Sequence, residues 1–170
     1  MDINDTTLFW IAIIIGASYA IITDNPNEYD IQEDDAYLVG ADGHNIHLIN
    51  NPNATDASYS ELMNFLKYDK TNEIPYDINT FVCSDYSELL HNNAEKSGIK
   101  AGVVSIGFID NQDGHMFNIF NTIDNGYIFI DEAGGYDSTI KSFSVGNKIV
   151  YDENMYVSDD NIISDIDFYW

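Results

Sequence analysis

The segment from residue 82 to residue 131 constrains the fold most strongly, because one clear helix signal in it is followed by three strand signals. Apolar residues recur at helical spacing from Val82 to Ala94, and Gly98 then supplies a residue that tolerates the left-handed conformation at a helix end. The next three runs, GVVSIGFI, MFNIFN and YIFID, are rich in β-branched and aromatic residues. A helix followed by such a meander predicts an α+β fold, in which the helix packs on one face of an antiparallel sheet.

Signals on either side of this segment add a second helix and extend the sheet. A capping box that begins at Ser58 predicts a helix over residues 59–68. Turn residues between apolar runs predict a β-hairpin around residues 42–43 and another around residues 146–147. The partly alternating tail, residues 162–170, predicts a last strand that closes the edge of the sheet.

Composition excludes several classes of protein. The 170 residues, of which 45% are hydrophobic, suit one globular domain. Six Lys and Arg residues against 29 Asp and Glu residues give a net charge of −23, which would repel nucleic acids and anionic membrane surfaces. We therefore expect no nucleic-acid partner. Cys83 is the one cysteine, so intramolecular disulfides and multi-cysteine zinc sites are excluded.

An uncharged apolar run at residues 8–22 distinguishes the N-terminus. Its 15 residues are too few for a membrane-spanning helix, which needs about 20, and are typical of the core of a signal peptide. The preceding MDINDTT has no Lys or Arg, so a buried strand or helix of the domain is the alternative. We predict that residues 1–23 are a signal peptide or membrane anchor, that residues 24–36 are an acidic, exposed lead-in, and that residues 37–170 form the domain. The protein would then be extracytoplasmic, either secreted or membrane-anchored.

Three residues have the types and positions of a catalytic triad. Cys83 lies at the start of the best-marked helix, where exposed backbone N–H groups and the helix dipole favour a thiolate. His115 begins the second strand of the meander and Asp131 ends the third. If Thr122 pairs with Gly126, Asp131 falls diagonal to His115 on the same face, within reach of its ring. We predict a nucleophile, a base and an orienting residue in that order. The alternative is that Cys83 is only a small buried hydrophobic residue.

Other residues fit a site less well. His91 lies eight positions along the same helix as Cys83, about 12 Å away in axial rise, which is too far for a hydrogen bond. His44 and His47 would point to opposite faces of a strand, a poor arrangement for a shared metal ion. Residues 110–114 resemble a calcium-binding loop only superficially, because the ligand spacing is broken. We therefore predict that the protein needs no metal and no cofactor.

Three segments resemble the core of the transglutaminase-like superfamily, namely FVCSDYSELLHNNAEKSGIKAGVV, GHMFNIF and GYIFID. Members of that superfamily have a papain-like fold with a Cys at a helix start, a His on the next strand region and an Asp on the strand after it. The spacings here are 32 residues from Cys83 to His115 and 16 from His115 to Asp131. The resemblance covers residues 58–131, and the stretch NNPNATDASYSELMNFLKYDKT is similar to the lead-in of an exported prokaryotic branch. It implies a papain-like core with Cys83 as nucleophile, His115 as general base and acid, and Asp131 as the orienting residue.

The resemblance implies a cysteine-dependent acyl hydrolase or acyl transferase that cleaves or transfers an amide or isopeptide bond. Its substrate would be a peptide or protein, with cell-envelope material among the candidates. Phe117 and Phe129 stand where the family often has Trp, so Gln–Lys cross-linking is not implied and hydrolysis is at least as well supported. The alternative is a catalytically silent transglutaminase-like module that binds a partner or the envelope. A third hypothesis is an acidic protein that buffers metal ions.

Overall fold

The structure is a computed structural model that describes residues 19–22, 25–32, 38–109, 114–152 and 161–170. This part of the chain contains nine strands, two α-helices and one 3-10 turn. Their bounds are β1 Tyr19–Ile22, β2 Glu28–Gln32, β3 Ile46–Ile49, α1 Tyr59–Tyr68, the 3-10 turn Thr71–Glu73, α2 Cys83–Lys96, β4 Gly102–Phe108, β5 Gly114–Thr122, β6 Gly126–Asp131, β7 Ser138–Ser142, β8 Val150–Tyr151 and β9 Ile163–Tyr169. The mixture of helices with antiparallel strands confirms the α+β class predicted from the sequence.

The main sheet has the strand order β8-β7-β6-β5-β4-β9, and its neighbouring strands are antiparallel. The turn between β5 and β6 is closed by the pairing of Thr122 with Gly126, whose φ of 69° suits glycine. The register continues to the pairing of Asn118 with Ile130, as predicted. Strand β9 pairs with β4 at one edge of the sheet, which confirms the prediction for the tail.

Both helices begin and pack as their sequences predict. The Ser58 capping box starts α1, and Gly98, with a φ of 84°, follows the end of α2 in the left-handed conformation. Helix α2 lies on the main sheet, where the Asn118 side chain donates to the backbone oxygen of Ser87 at 2.9 Å. The buried residues shared by the helices and this face of the sheet are Leu62, Leu66, Leu90, Ala94, Ala101, Phe120, Ile128 and Ile130.

The opposite face of the sheet carries its own apolar cluster. Its buried members are Val104, Ile106, Phe117, Ile119, Ile140 and Ile163. The Phe117 ring makes edge-to-face contacts with Phe129 and Phe143. Because alternate residues of a strand share a face, His115 lies on the same face of β5 as Phe117. The candidate base therefore stands at the end of an apolar layer.

The smaller sheet, β1-β2-β3, corrects two expectations. The hairpin predicted around residues 42–43 makes one described bridge, between Val39 and Asn45, and β3 pairs along its length with β2 instead. Strand β2 lies within the segment that we expected to be an exposed lead-in. Its Ile31 is 2% exposed and packs against the buried residues of β3. In EYDIQ the acidic residues alternate with apolar ones, and this alternation lets one face join the core.

The N-terminal segment is described only in part. Residues 19–22 form β1, which pairs with β2 in the smaller sheet, whereas we expected residues 1–23 to lie outside the domain. Residues 1–18, which hold most of the apolar run, lie outside the described residues, as do residues 33–37. In the part of the chain that is described, no helix is long and apolar enough to cross a membrane.

Candidate active site

Helix α2 presents Cys83 as its first residue, as predicted. The preceding residue, Val82, is extended, and its N–H donates to Asp85 Oδ2 at 2.8 Å. The same oxygen accepts the N–H of Ala41 at 3.0 Å. Asp85 is buried, so it ties the start of the helix to the segment that leads into the smaller sheet. The thiol of Cys83 is free and partly buried, and this anchoring determines where it lies.

The main sheet brings His115 and Asp131 together. His115 is on β5 and Asp131 ends β6, and the pairing of Asn118 with Ile130 places the two residues diagonally on one face. The Nε2 atom of His115 lies 2.6 Å from Asp131 Oδ2. The side chains are 19% and 4% exposed, so this contact is largely shielded from water.

Cys83 lies within hydrogen-bonding reach of the His115 ring. Because Nε2 faces Asp131, Nδ1 is the ring nitrogen left for the thiol. The three residues singled out in the sequence are therefore neighbours in the order thiol, imidazole, carboxylate. This is the order in which a nucleophile, a base and an orienting residue are arranged in a triad.

The charges of this group depend on one another. Burial alone would lower the pKa of His115, but the negative charge and hydrogen bond of Asp131, helped by Cys83, raise it well above 6.5. Burial alone would raise the pKa of Asp131, but the charge and hydrogen bond of His115 hold it below 3.8. At neutral pH the ring is therefore an imidazolium and the carboxyl group a carboxylate.

Tyr151 is a member of this group that the sequence analysis missed. Its hydroxyl donates to Asp131 Oδ2 at 2.6 Å, and the N–H of Ala133 donates to Oδ1 at 3.0 Å. Tyr151 is on β8, which pairs with β7, so the hairpin predicted around residues 146–147 brings it towards the sheet. The register of β7 and β8 shifts between Ile140 and Ser142, and no local pattern in the sequence predicts that shift.

The remaining histidines lie outside the triad. His91 is fully buried in α2, its Nδ1 lies 2.9 Å from Asn92 Oδ1, and burial lowers its pKa to about 4. His44 contacts Asp42 and Glu88, and His47 contacts Asp30 on the neighbouring strand. Within the described ranges, no group of three or more His, Cys, Asp or Glu side chains could hold a metal ion. Residues 110–113 of the loop with superficial calcium-loop character are not among those described.

Glu132 follows Asp131 directly but does not join the triad. Its side chain is buried beside Asp137, and Asp69 is also near. Burial first, and then the charges of these neighbouring carboxylates, raise the pKa of Glu132 to about 9. Glu132 is therefore uncharged at neutral pH and adds no second negative charge next to the carboxylate that holds His115.

The site contains three chemical groups: the Cys83 thiol at a helix N-terminus, the charged His115 imidazole and the buried Asp131 carboxylate. The first N–H groups of a helix have no partner within the helix, so those beside Cys83 are suited to bind an oxyanion.

No protein-family model, curated protein or solved structure matches the chain.

Proposed function

We propose that the protein is a cysteine-dependent acyl hydrolase or acyl transferase of transglutaminase-like type, acting on an amide or isopeptide bond through Cys83, His115 and Asp131. One observation carries this proposal. A free thiol at the first position of a helix lies within hydrogen-bonding reach of an imidazole whose Nε2 atom lies 2.6 Å from a buried carboxylate. A thiol that serves only as core filler does not require the other two groups.

The reaction follows from the charges of the three groups. The imidazolium and the helix N-terminus stabilise the thiolate of Cys83, which attacks the carbonyl carbon of the substrate. The tetrahedral oxyanion accepts hydrogen bonds from backbone N–H groups at the start of α2. His115 gives its proton to the leaving amine as the C–N bond breaks, which leaves a thioester on Cys83. Water or a second amine then attacks the thioester, His115 takes a proton from that nucleophile, and the thiolate is released.

Asp131 keeps the imidazole in position throughout this cycle. Its carboxylate accepts the Nε2–H of His115, so Nδ1 exchanges protons with the thiol and the leaving group. The same contact stabilises the imidazolium, in agreement with the raised pKa of His115. Asp131 is not required to take up the proton itself.

The fold supports a papain-like assignment within this proposal. Helix α2 carries the cysteine and packs on an antiparallel sheet that supplies the histidine and the aspartate from adjacent strands. The substrate would be a peptide or protein amide, in the envelope if residues 1–23 direct the chain outside the cytoplasm. Nucleic acid is a poor partner for a chain with a net charge of −23.

A catalytically silent binding module is the second candidate, and Phe117 favours it. This residue stands where the related family often has Trp, and here it is 1% exposed in the aromatic cluster with Phe129 and Phe143. Its ring is therefore a core residue and not one that lines an open site. A silent module would keep the fold while Cys83 reacted no faster than an ordinary thiol.

The proposal is tested by the rate at which Cys83 is acylated by a fluorescent activated-acyl probe at pH 7. We expect no labelling of Cys83→Ala and a loss of about 100-fold or more in His115→Gln, because the imidazolium that stabilises the thiolate is removed. Asp131→Asn is nearly isosteric, so the fold should persist while labelling falls by about 10- to 100-fold. The loss should be smaller than in a serine triad, because a thiol ionises more readily than a hydroxyl.

The matched control is His47→Gln, which removes a histidine that contacts Asp30 in the smaller sheet. We expect it to label at the wild-type rate. Circular dichroism of each variant would show that the fold is retained. If wild type and His115→Gln were acylated at the same slow rate, the protein would be the silent module.

A further inference from the structure

We propose that Tyr151 is a positioning residue of this site, whose hydroxyl holds the Asp131 carboxylate in the orientation that anchors the His115 ring. The inference rests on the proposed function of Cys83. It adds a fourth residue to the site and assigns a role in the reaction to β8, the two-residue strand at the edge of the main sheet.

The hydrogen bonds of Asp131 support this role. Its Oδ2 atom lies 2.6 Å from both His115 Nε2 and the Tyr151 hydroxyl oxygen. Its Oδ1 atom accepts the N–H of Ala133 at 3.0 Å. Donors from β5, from β8 and from the backbone after β6 therefore meet one carboxylate. Rotation of that carboxylate would break at least one of the three bonds, so the group is held as a rigid acceptor.

The ring of Tyr151 is well placed to keep its hydroxyl at this point. It packs against the apolar cluster that contains Phe117 and Ile140, and Ile140 is its partner across β7 and β8. Burial and the nearby negative charge of Asp131 raise the pKa of Tyr151 far above 10. The hydroxyl therefore remains a proton donor over the whole range in which a thiol enzyme works.

Replacement of Tyr151 by Phe removes the hydrogen bond to Asp131 and should change the pKa of that carboxyl group. The hydroxyl helps to hold the pKa of Asp131 low, so Tyr151→Phe should raise it. The titratable groups that face Asp131 are His115, Tyr151 and its neighbour Glu132, and Cys83 lies near His115 and Tyr151. On acidification the variant should lose the charged partner of His115 at a higher pH than the wild type. The rate of Cys83 alkylation, which depends on the imidazolium in this site, should then fall at a higher pH as well.

The test is the pH profile of Cys83 alkylation by iodoacetamide in the full chain, from pH 3 to pH 9. For Tyr151→Phe we expect the acid limb to move up by about one pH unit, which corresponds to about 1.4 kcal/mol. At pH 7 the rate should fall by about 3- to 10-fold. In the Asp131→Asn background, Tyr151→Phe should cause no further loss, because its effect passes through Asp131.

The matched control is Tyr86→Phe. Tyr86 is buried, Tyr151 is partly buried, and the Tyr86 hydroxyl donates to the backbone oxygen of Ile74 instead of to the triad. Both variants lose one hydrogen-bonded tyrosine hydroxyl, so urea unfolding should report similar losses of stability. Only Tyr151→Phe should shift the pH profile, whereas a merely structural role would leave the profiles of both variants where the wild-type profile lies.

A second measurement does not require Tyr151→Phe to fold. With ¹³C-labelled tyrosine, the Cζ resonance of Tyr151 should move when Asp131 is replaced by Asn, and that of Tyr86 should stay in place. The inference is wrong if the Tyr151 resonance does not move, or if the Tyr151→Phe profile superposes on the wild-type profile while His115→Gln is slow. If the wild type and His115→Gln both react as an ordinary thiol, the proposed function is wrong and the inference is overturned with it.

Discussion

Replacement of Glu132 by Gln should stabilise the protein, and increasingly so as the pH rises. Glu132 is 3% exposed, and it lies beside the carboxyl group of Asp137 with Asp69 near. Burial and these charges raise its pKa from 4.5 to about 9, so the folded protein holds a proton there that the unfolded chain releases. Gln has nearly the same shape as a protonated Glu, and its amide group carries N–H donors that can face Asp137.

The sign and size follow from proton linkage. Between pH 4.5 and about 9 the native state binds more protons at this position than the unfolded state, so the free energy of unfolding falls as the pH rises. The slope is about 1.4 kcal/mol per pH unit. At pH 7 the protonated Glu132 therefore costs the folded protein about 3 kcal/mol, and this cost grows by about 4 kcal/mol between pH 5 and pH 8. A typical domain has only about 5 to 15 kcal/mol in total, so the effect is large.

The assay is urea unfolding of wild type and Glu132→Gln at pH 5, 6, 7 and 8, followed by circular dichroism. The difference between the two proteins at each pH reports Glu132 together with its coupling to Asp137, because the other titrating groups are common to both. Glu73→Gln, which removes one charge from an exposed side chain, controls for the change in charge of the unfolded chain. The reasoning is refuted if the difference between Glu132→Gln and wild type is the same at pH 5 and at pH 8.

Two further predictions concern the start of α1 and the charge of the whole chain. Ser58→Ala should lower the free energy of unfolding by about 1 kcal/mol, because the Ser58 hydroxyl caps the N–H of Glu61. The measurement is urea unfolding, and an unchanged midpoint of the urea transition would contradict the capping argument. A cationic methanethiosulfonate should modify Cys83 about 10-fold faster than an anionic one at low salt, because the net charge of −23 attracts the cationic reagent. Stopped-flow measurements should show that the ratio of the two rates falls as salt is added. A ratio that did not change with salt would show that the net charge does not act at the site.

The elements that the sequence alone determined are those decided by neighbouring residues. The helix that begins at Cys83, the cap at Ser58 and the left-handed Gly98 each depend on contacts within a turn or two, and all three are found as predicted. The turn that pairs Thr122 with Gly126 is equally local. It sets the register of β5 and β6, and for that reason the meeting of His115 with Asp131 could be predicted.

Tertiary structure decided what depends on distant parts of the chain. The pairing of β2 with β3 brings into the core a segment whose acidity suggested an exposed lead-in. Its apolar residue Ile31 pairs with Ile46, and both are buried in one cluster. Tyr151 reaches Asp131 only through the shifted register of β7 and β8, and Glu132 holds its proton only because folding buries it beside other acids. Local sequence determines helices and turns, because these depend on short-range contacts. The pairing of distant strands and the ionisation of buried groups depend on which parts of the chain pack together in the core.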